Sequence, residues 1–194
     1  MSVDPLKIAV IVGSTRKGRF GRVVADWFVG EAQQRDDMKF DVIDLAEVDL
    51  PATLPDFTDE QEPEAVQTLA PRLAAADGFV LVTPEYNHSY PASLKTAIDW
   101  YLKEWQAKPF AFVSYGGVSG GLRSVEHLRP VLSEVHATSI RDTVSFHGAW
   151  ERFDENGQPR DPDGCNTAAK SLLDQLSWWA TALRTARNER PYGA

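Results

Sequence analysis

The 194-residue sequence predicts an α/β fold in which a five-stranded doubly wound parallel sheet carries helices on both faces. Three observations support this. Short runs rich in Val, Ile and Phe alternate with stretches of helical periodicity along the whole chain. The strand-like runs are apolar at consecutive positions, as in strands buried on both faces. The first run, Ile8-Ala9-Val10-Ile11-Val12, breaks at Gly13 into a polar loop followed by a helical pattern. Strand, glycine loop and helix in that order form the opening unit of such sheets.

Each element has its own signal. The first helix is expected over Phe20–Arg35, with Val23, Val24, Trp27 and Phe28 at helical spacing, and Lys39–Leu45 is the second strand. Residues 46 to 63, with Pro51, Pro55 and Pro63, read as a long loop, and loops of that length tend to be functional or mobile. Glu64–Ala76 is the second helix and Gly78–Thr83 the third strand. The third helix is expected over Ala92–Trp105, with Leu94, Ala97, Ile98, Tyr101 and Leu102 on one face. Pro109–Ser114 is the fourth strand, with its proline at the tolerated first position. A fourth helix begins near Ser119 or Gly120 and shows Leu122, Val125, Leu128 and Leu132 at helical spacing. Pro130 should kink it or end its first half. Thr138–Phe146 is the fifth strand, with an interruption near Arg141-Asp142. A polar stretch with a turn at Asp154–Gly157 follows, and Asn166–Arg187 is the last helix.

Composition sets bounds. Hydrophobic residues make up 43% and charged residues 25%, which fits one ordinary globular domain over residues 1–194. No apolar run approaches a membrane span, and Met1–Pro5 lacks the regions of a signal peptide, so a cytoplasmic protein with no membrane partner is expected. A net charge of -8 argues against a nucleic-acid surface. Cys165 is the single cysteine, which excludes an internal disulfide and a multi-cysteine metal site. No spacing of His, Asp and Glu suggests another metal site.

In this acidic chain the loop after the first strand is basic, with Arg16, Lys17, Arg19 and Arg22. Such a loop ahead of a helix N-terminus suits an anion. Gly13 and Gly18 have the spacing of a triphosphate loop, but Arg19 and Phe20 stand where Lys and a magnesium-binding hydroxyl belong. Gly18 and Gly21 fit half of a dinucleotide fingerprint, but Arg16 occupies a required glycine position. Asp44 as an acidic ribose partner therefore weighs little. What remains is a terminal monophosphate held by Ser14, Arg16 and backbone amides. A guanidinium suits it because its planar fork can hold two phosphate oxygens.

Two further loops lie at the carboxyl ends of strands. Thr83–Pro91 offers Asn87 and Ser89 for hydrogen bonds and Tyr86 and Tyr90 as flat faces, with His88 within reach of a substrate. In Ser114–Gly121 the glycines let backbone approach a ligand. Tyr115 there reads equally well as packing, and His127, His136 and His147 as surface or core residues. Together the three loops suit a planar heterocycle with a phosphate tail.

Four pieces carry a resemblance to a known family: Gly13-Ser14-Thr15-Arg16-Lys17-Gly18-Arg19, Pro84-Glu85-Tyr86-Asn87-His88-Ser89, Leu94-Lys95-Thr96-Ala97-Ile98-Asp99-Trp100 and Gly116-Gly117-Val118-Ser119-Gly120-Gly121. The chain resembles the NAD(P)H-dependent FMN reductases, a branch of the flavodoxin-like fold, from Leu6 to about Val135. The resemblance implies that Ser14, Arg16, Arg19 and the amides near Phe20 and Gly21 hold the FMN phosphate. Many members carry Ser where Arg19 stands, Asn where Gly21 stands and Gly where Ala92 stands. By the same resemblance Pro84, Glu85, Tyr86 and Asn87 run along the flavin ring. Gly116 and Gly117, with Ser114 before them, approach its pyrimidine side. The implied activity passes hydride from NADPH or NADH to FMN and on to free flavin, a quinone, an azo or nitro compound or a metal oxyanion. The flavin carries the chemistry, so no side chain is expected to act as a catalytic acid or base. Backbone N–H groups of the loops would stabilise charge on the reduced ring. The rival readings are a flavodoxin-type electron carrier and a flavin-free phospho-ligand domain. A homodimer or homotetramer is also implied, with Trp100, Trp105 and Trp178 as candidates for its interface.

Overall fold

Strand β1 (Leu6–Val12) sends Leu6, Ile8, Val10 and Val12 into one core and Ala9 and Ile11 into another. Period two with both faces apolar is what a central strand between two helix layers requires. β3 (Gly78–Pro84) divides the same way, with Val80 and Val82 against Phe79 and Leu81. β4 (Pro109–Gly116) sets Ala111, Val113 and Tyr115 against Phe110 and Phe112. The structure is a computed structural model describing residues 4–55 and 62–193; the expected loop at 46–63 therefore lies partly outside the described residues.

With β2 (Met38–Asp44) and β5 (Thr138–His147) the sheet runs β2-β1-β3-β4-β5, and every pair is parallel. Helices α1 (Gly21–Ala32) and α6 (Pro162–Glu189) cover the face with Ile8, Val10, Val80, Val113 and Tyr115. Helices α2 (Glu64–Ala75), α3 (Ala92–Trp100) and α4 (Leu122–Glu134) cover the face with the phenylalanines. Phe28, Phe79, Phe110 and Phe112 are fully buried, each contributing about 1.5–3 kcal/mol. From β1 the chain steps outward to β2 and then crosses back over β1 to β3. That reversal places a ligand crevice beyond the carboxyl ends of β1 and β3.

The structure corrects several expected boundaries. α3 ends at Trp100, not Trp105, because Tyr101 turns extended and Trp105 folds back. The Trp105 indole N–H donates to the Ile98 carbonyl, satisfying an orphan group of the helix end, and its ring packs on Phe79 and Phe110. Leu102, expected on the buried face, is exposed, and so is Leu122. α4 runs past Pro130 without ending, held by the fully buried Leu128 and Leu132 on either side. β5 is continuous, and the expected interruption is a register shift opposite Phe110 and Phe112. α6 begins four residues before the expected Asn166. Asp161 accepts from the Gly164 amide as its N-cap and Pro162 takes the first turn. A short helix, α5 (Ala149–Arg152), lies in the stretch read as polar loop.

Candidate functional site

The carboxyl edge of the sheet is stitched together by backbone. The Gly13 amide donates to the Val82 carbonyl at 2.9 Å and the Glu85 amide to the Tyr115 carbonyl at 3.1 Å. The three loops singled out in the sequence therefore leave from one edge.

In the first loop Ser14 is fully buried and its hydroxyl meets the Tyr86 hydroxyl at 2.6 Å. Thr15 to Gly18 are exposed, turned by an Arg19 amide to Arg16 carbonyl bond with Gly18 at φ +67°. Arg19 is not open to the loop: its guanidinium is held by Asp44, whose side chain is 1% exposed. Arg22 reaches the same carboxylate at 3.7 Å and pairs with Asp26. Asp44 comes within reach because the parallel register sets it beside Val12. Arg16 and Lys17 are left without an ion pair among the described residues. α1 then starts at Gly21 with no side chain capping it, so its first amides face the loop as free donors.

The second loop is a tight turn. Tyr86 and Ser89 exchange backbone hydrogen bonds while Asn87 and His88 take φ of 49° and 76°. Two successive positive φ values mark a type I′ turn, which costs a histidine more than an asparagine. Pro84 is buried at the strand end. The Glu85 carboxylate accepts from the Ser119 hydroxyl, from the Arg123 amide at 3.2 Å and from the Arg123 guanidinium at 3.0 Å. Burial alone would raise the Glu85 pKa, but these donors outweigh it and hold the carboxyl below its usual range. His127 meets Ser89 at 3.0 Å, and its ring lies tilted at 6.0 Å from that of His88.

The third loop is tied at both ends. The buried Ser114 hydroxyl and that of Ser145 both donate to the Gly120 carbonyl at 2.9 Å, and the Gly148 amide donates to Gly117 at 2.8 Å. His147 Nδ1 donates to the Val118 carbonyl at 2.9 Å. Gly120 and Gly121 hold φ of +62° and +87°, and a Cβ on Gly121 would sit 2.8 Å from the Tyr115 amide nitrogen. Only glycine satisfies both demands. Gly117 by contrast has room for a Cβ, which would lie in ordinary contact 3.9 Å from the Trp150 ring edge. A cleft of 630 Å³ opens here between Gly117, Val118, His147 and Arg152, within the size range of small-molecule sites. Another of 510 Å³ lies beside Thr15, lined by Leu45, Ala46 and the start of α3.

The edge thus collects Ser14, Arg16, Phe20, Gly21, Pro84, Glu85, Tyr86, Asn87, Ser114, Gly116 and Gly117. Arg19, Glu85 and Ser114 have side chains engaged in holding loops. Sequence reading missed the Asp44 counterion, the Ser119 and Arg123 grip on Glu85, and Trp150 beside Gly117. Of the three interface candidates, Trp105 is buried, Trp100 donates to the Pro51 carbonyl and Trp178 is 64% exposed. Among the described residues no group of His, Cys, Asp and Glu is placed to hold a metal ion, and no helix is long and apolar enough to cross a membrane.

A doubly wound sheet with an uncapped helix start, an aromatic turn and a glycine loop on one edge defines a flavodoxin-like flavoprotein. The chain belongs to the NADPH-dependent FMN reductase family, whose model matches residues 6–151. It is 37% identical to a quinone reductase of Escherichia coli over 187 residues, 92% of this chain and 94% of that one. It is 37% identical to a 2-hydroxy-1,4-benzoquinone reductase of a Burkholderia species over 90% of this chain and 96% of the relative. An NAD(P)H-dependent FMN reductase of Schizosaccharomyces pombe matches at 41%, over 59% of this chain and 60% of the yeast protein. The flavoenzyme FerB of Paracoccus denitrificans, an NAD(P)H:acceptor oxidoreductase, superposes with a TM-score of 0.71 at 25% identity, covering 91% of this chain and 98% of that one. The protein is an FMN-dependent NAD(P)H oxidoreductase.

Proposed function

We propose that the chain reduces quinone-class acceptors with NADPH or NADH, holding FMN across the carboxyl ends of β1, β3 and β4. The observation that carries the placement is the first loop. An Arg16 with no ion pair among the described residues, an α1 with no side-chain cap and a buried Ser14 follow one another at the end of the central strand. Arg16 and the α1 amides bind the phosphate, while Arg19, held by Asp44, fixes the loop that presents them. Pro84 to Asn87 would line the ring, and the amides of Gly116 and Gly117 would supply donors to it.

FMN, when bound, supplies the hydride-accepting and hydride-donating chemistry, so no side chain needs to move a proton. What the protein adds is access. Gly117 has no side chain, and the exposed Trp150 beside it would offer a flat apolar surface to a planar partner. Quinone acceptors fit this, and the Escherichia coli and Burkholderia relatives carry quinone-reductase names. Assembly as a dimer or tetramer belongs to the same proposal, with the exposed Trp178 available to it.

The test is anaerobic mixing of FMN-loaded protein with NADPH, followed by benzoquinone. Bleaching of the flavin on the first addition and recovery of its colour on the second support the reading. Flavin that NADPH does not bleach would make the chain a carrier of electrons from another protein.

A further inference from the structure

Tyr115 is the penultimate residue of β4, on the face covered by α1. It is 5% exposed, and its hydroxyl is buried without a hydrogen-bond partner among the described residues. Packing does not explain that hydroxyl. A phenylalanine would fill nearly the same space without burying an unsatisfied donor.

The hydroxyl has a definite direction. It stands 2.4 Å from where a Cβ on Gly21 would lie, with the Ser14 Cβ 3.6 Å from the same point. Tyr115 therefore occupies the place that a side chain in the first turn of α1 would take. That turn is the uncapped one. The Ser14 hydroxyl, on the adjoining loop, is already engaged with that of Tyr86 at 2.6 Å. Burial raises the phenol's pKa, Tyr86 pushes the same way and Ser14 pulls slightly against, so it stays protonated and able to donate.

We infer that the Tyr115 hydroxyl is a ligand of the phosphate monoester at the N-terminus of α1, donating to one of its oxygens. The inference rests on the reading of the first loop as a phosphate site. It adds a donor from β4 to a site otherwise built from β1 and α1, and makes Tyr115 a residue that separates FMN from riboflavin. Free inorganic phosphate presents the same oxygens and would meet the same hydroxyl.

Tyr115→Phe tests this through binding and unfolding, with no turnover involved. Flavin fluorescence titration of the apoprotein should show FMN affinity falling about ten- to hundred-fold while riboflavin affinity stays unchanged. The apo variant should melt at a higher temperature than wild type, because a buried unsatisfied hydroxyl has gone. Inorganic phosphate should raise the melting temperature of the wild-type apoprotein more than that of the variant. A variant that keeps the wild-type preference for FMN over riboflavin overturns the role of Tyr115 alone. Equal losses for both flavins also overturn it, since Tyr115 would then shape the ring pocket. A wild-type protein that binds riboflavin and FMN alike removes the phosphate site itself.

Discussion

The loops that follow β4 and β1 meet at one edge of the sheet but differ in how their polar groups are satisfied. After β4, Ser114 and Ser145 share the Gly120 carbonyl, Ser119 donates to Glu85, and His147 holds Val118. After β1, among the described residues, Arg16 and Lys17 have no ion pair, α1 has no side-chain cap, and the Tyr115 hydroxyl beside it has no partner. A buried polar group left open, as the Tyr115 hydroxyl is, is rare in folded proteins and calls for an explanation. On the proposed reading the β4 side is a wall, and the β1 side is a socket that a ligand would complete. Changes to the wall should therefore destabilise the protein, and changes to the socket should mostly cost ligand affinity.

Gly121→Val should have the largest effect. A branched side chain at φ +87° would meet the Ser114 Cβ at 2.7 Å and the Tyr115 amide, so about 3–5 kcal/mol of stability should be lost in urea unfolding. Asp44→Ala comes next. It leaves Arg19 without its buried counterion, and because Arg19 is itself 22% exposed the loss should be about 1–3 kcal/mol, with weaker FMN binding as the loop loosens.

Glu85→Gln should cost about 1–2 kcal/mol and should also change the pH profile. The Glu85 carboxyl titrates lower in the folded protein than in the unfolded chain. Its contribution is therefore fully present above the unfolded value of about 4.3 and is lost as pH falls through the folded one. Wild type should lose stability more steeply than Glu85→Gln below about pH 4.3, and parallel acid unfolding curves would contradict the grip on Glu85. Arg16→Ala is the smallest change to the fold, within about 0.5 kcal/mol. Its FMN affinity should nonetheless fall about ten-fold or more, read by fluorescence titration.

Much of the fold was legible because β1, β3 and β4 are apolar at consecutive positions, a signal that needs no knowledge of neighbours. The end of α3 was not, since it depends on the Trp105 indole returning seven residues to the Ile98 carbonyl. The start of α6 was written in Asp161-Pro162 but hidden by the polar composition around it. At the candidate site, Ser14 and Arg16 are proposed from the sequence by their place after a buried strand, a position the fold keeps at the carboxyl end of β1. The engagement of Arg19 was not legible, because it follows from the register that sets Asp44 beside Val12. Glu85 and Arg123 are 38 residues apart, and nothing local in either segment marks the pair. Tyr115 read as packing, and only the fold shows that its hydroxyl ends at the first turn of α1.

The most direct test of the phosphate socket is the ratio of FMN to riboflavin affinity for the wild-type apoprotein, measured by fluorescence titration under one set of conditions. Several charge-assisted contacts to one phosphate predict that FMN binds at least about a hundred-fold tighter. Equal affinities would mean that the basic loop after β1 does not hold the cofactor's tail.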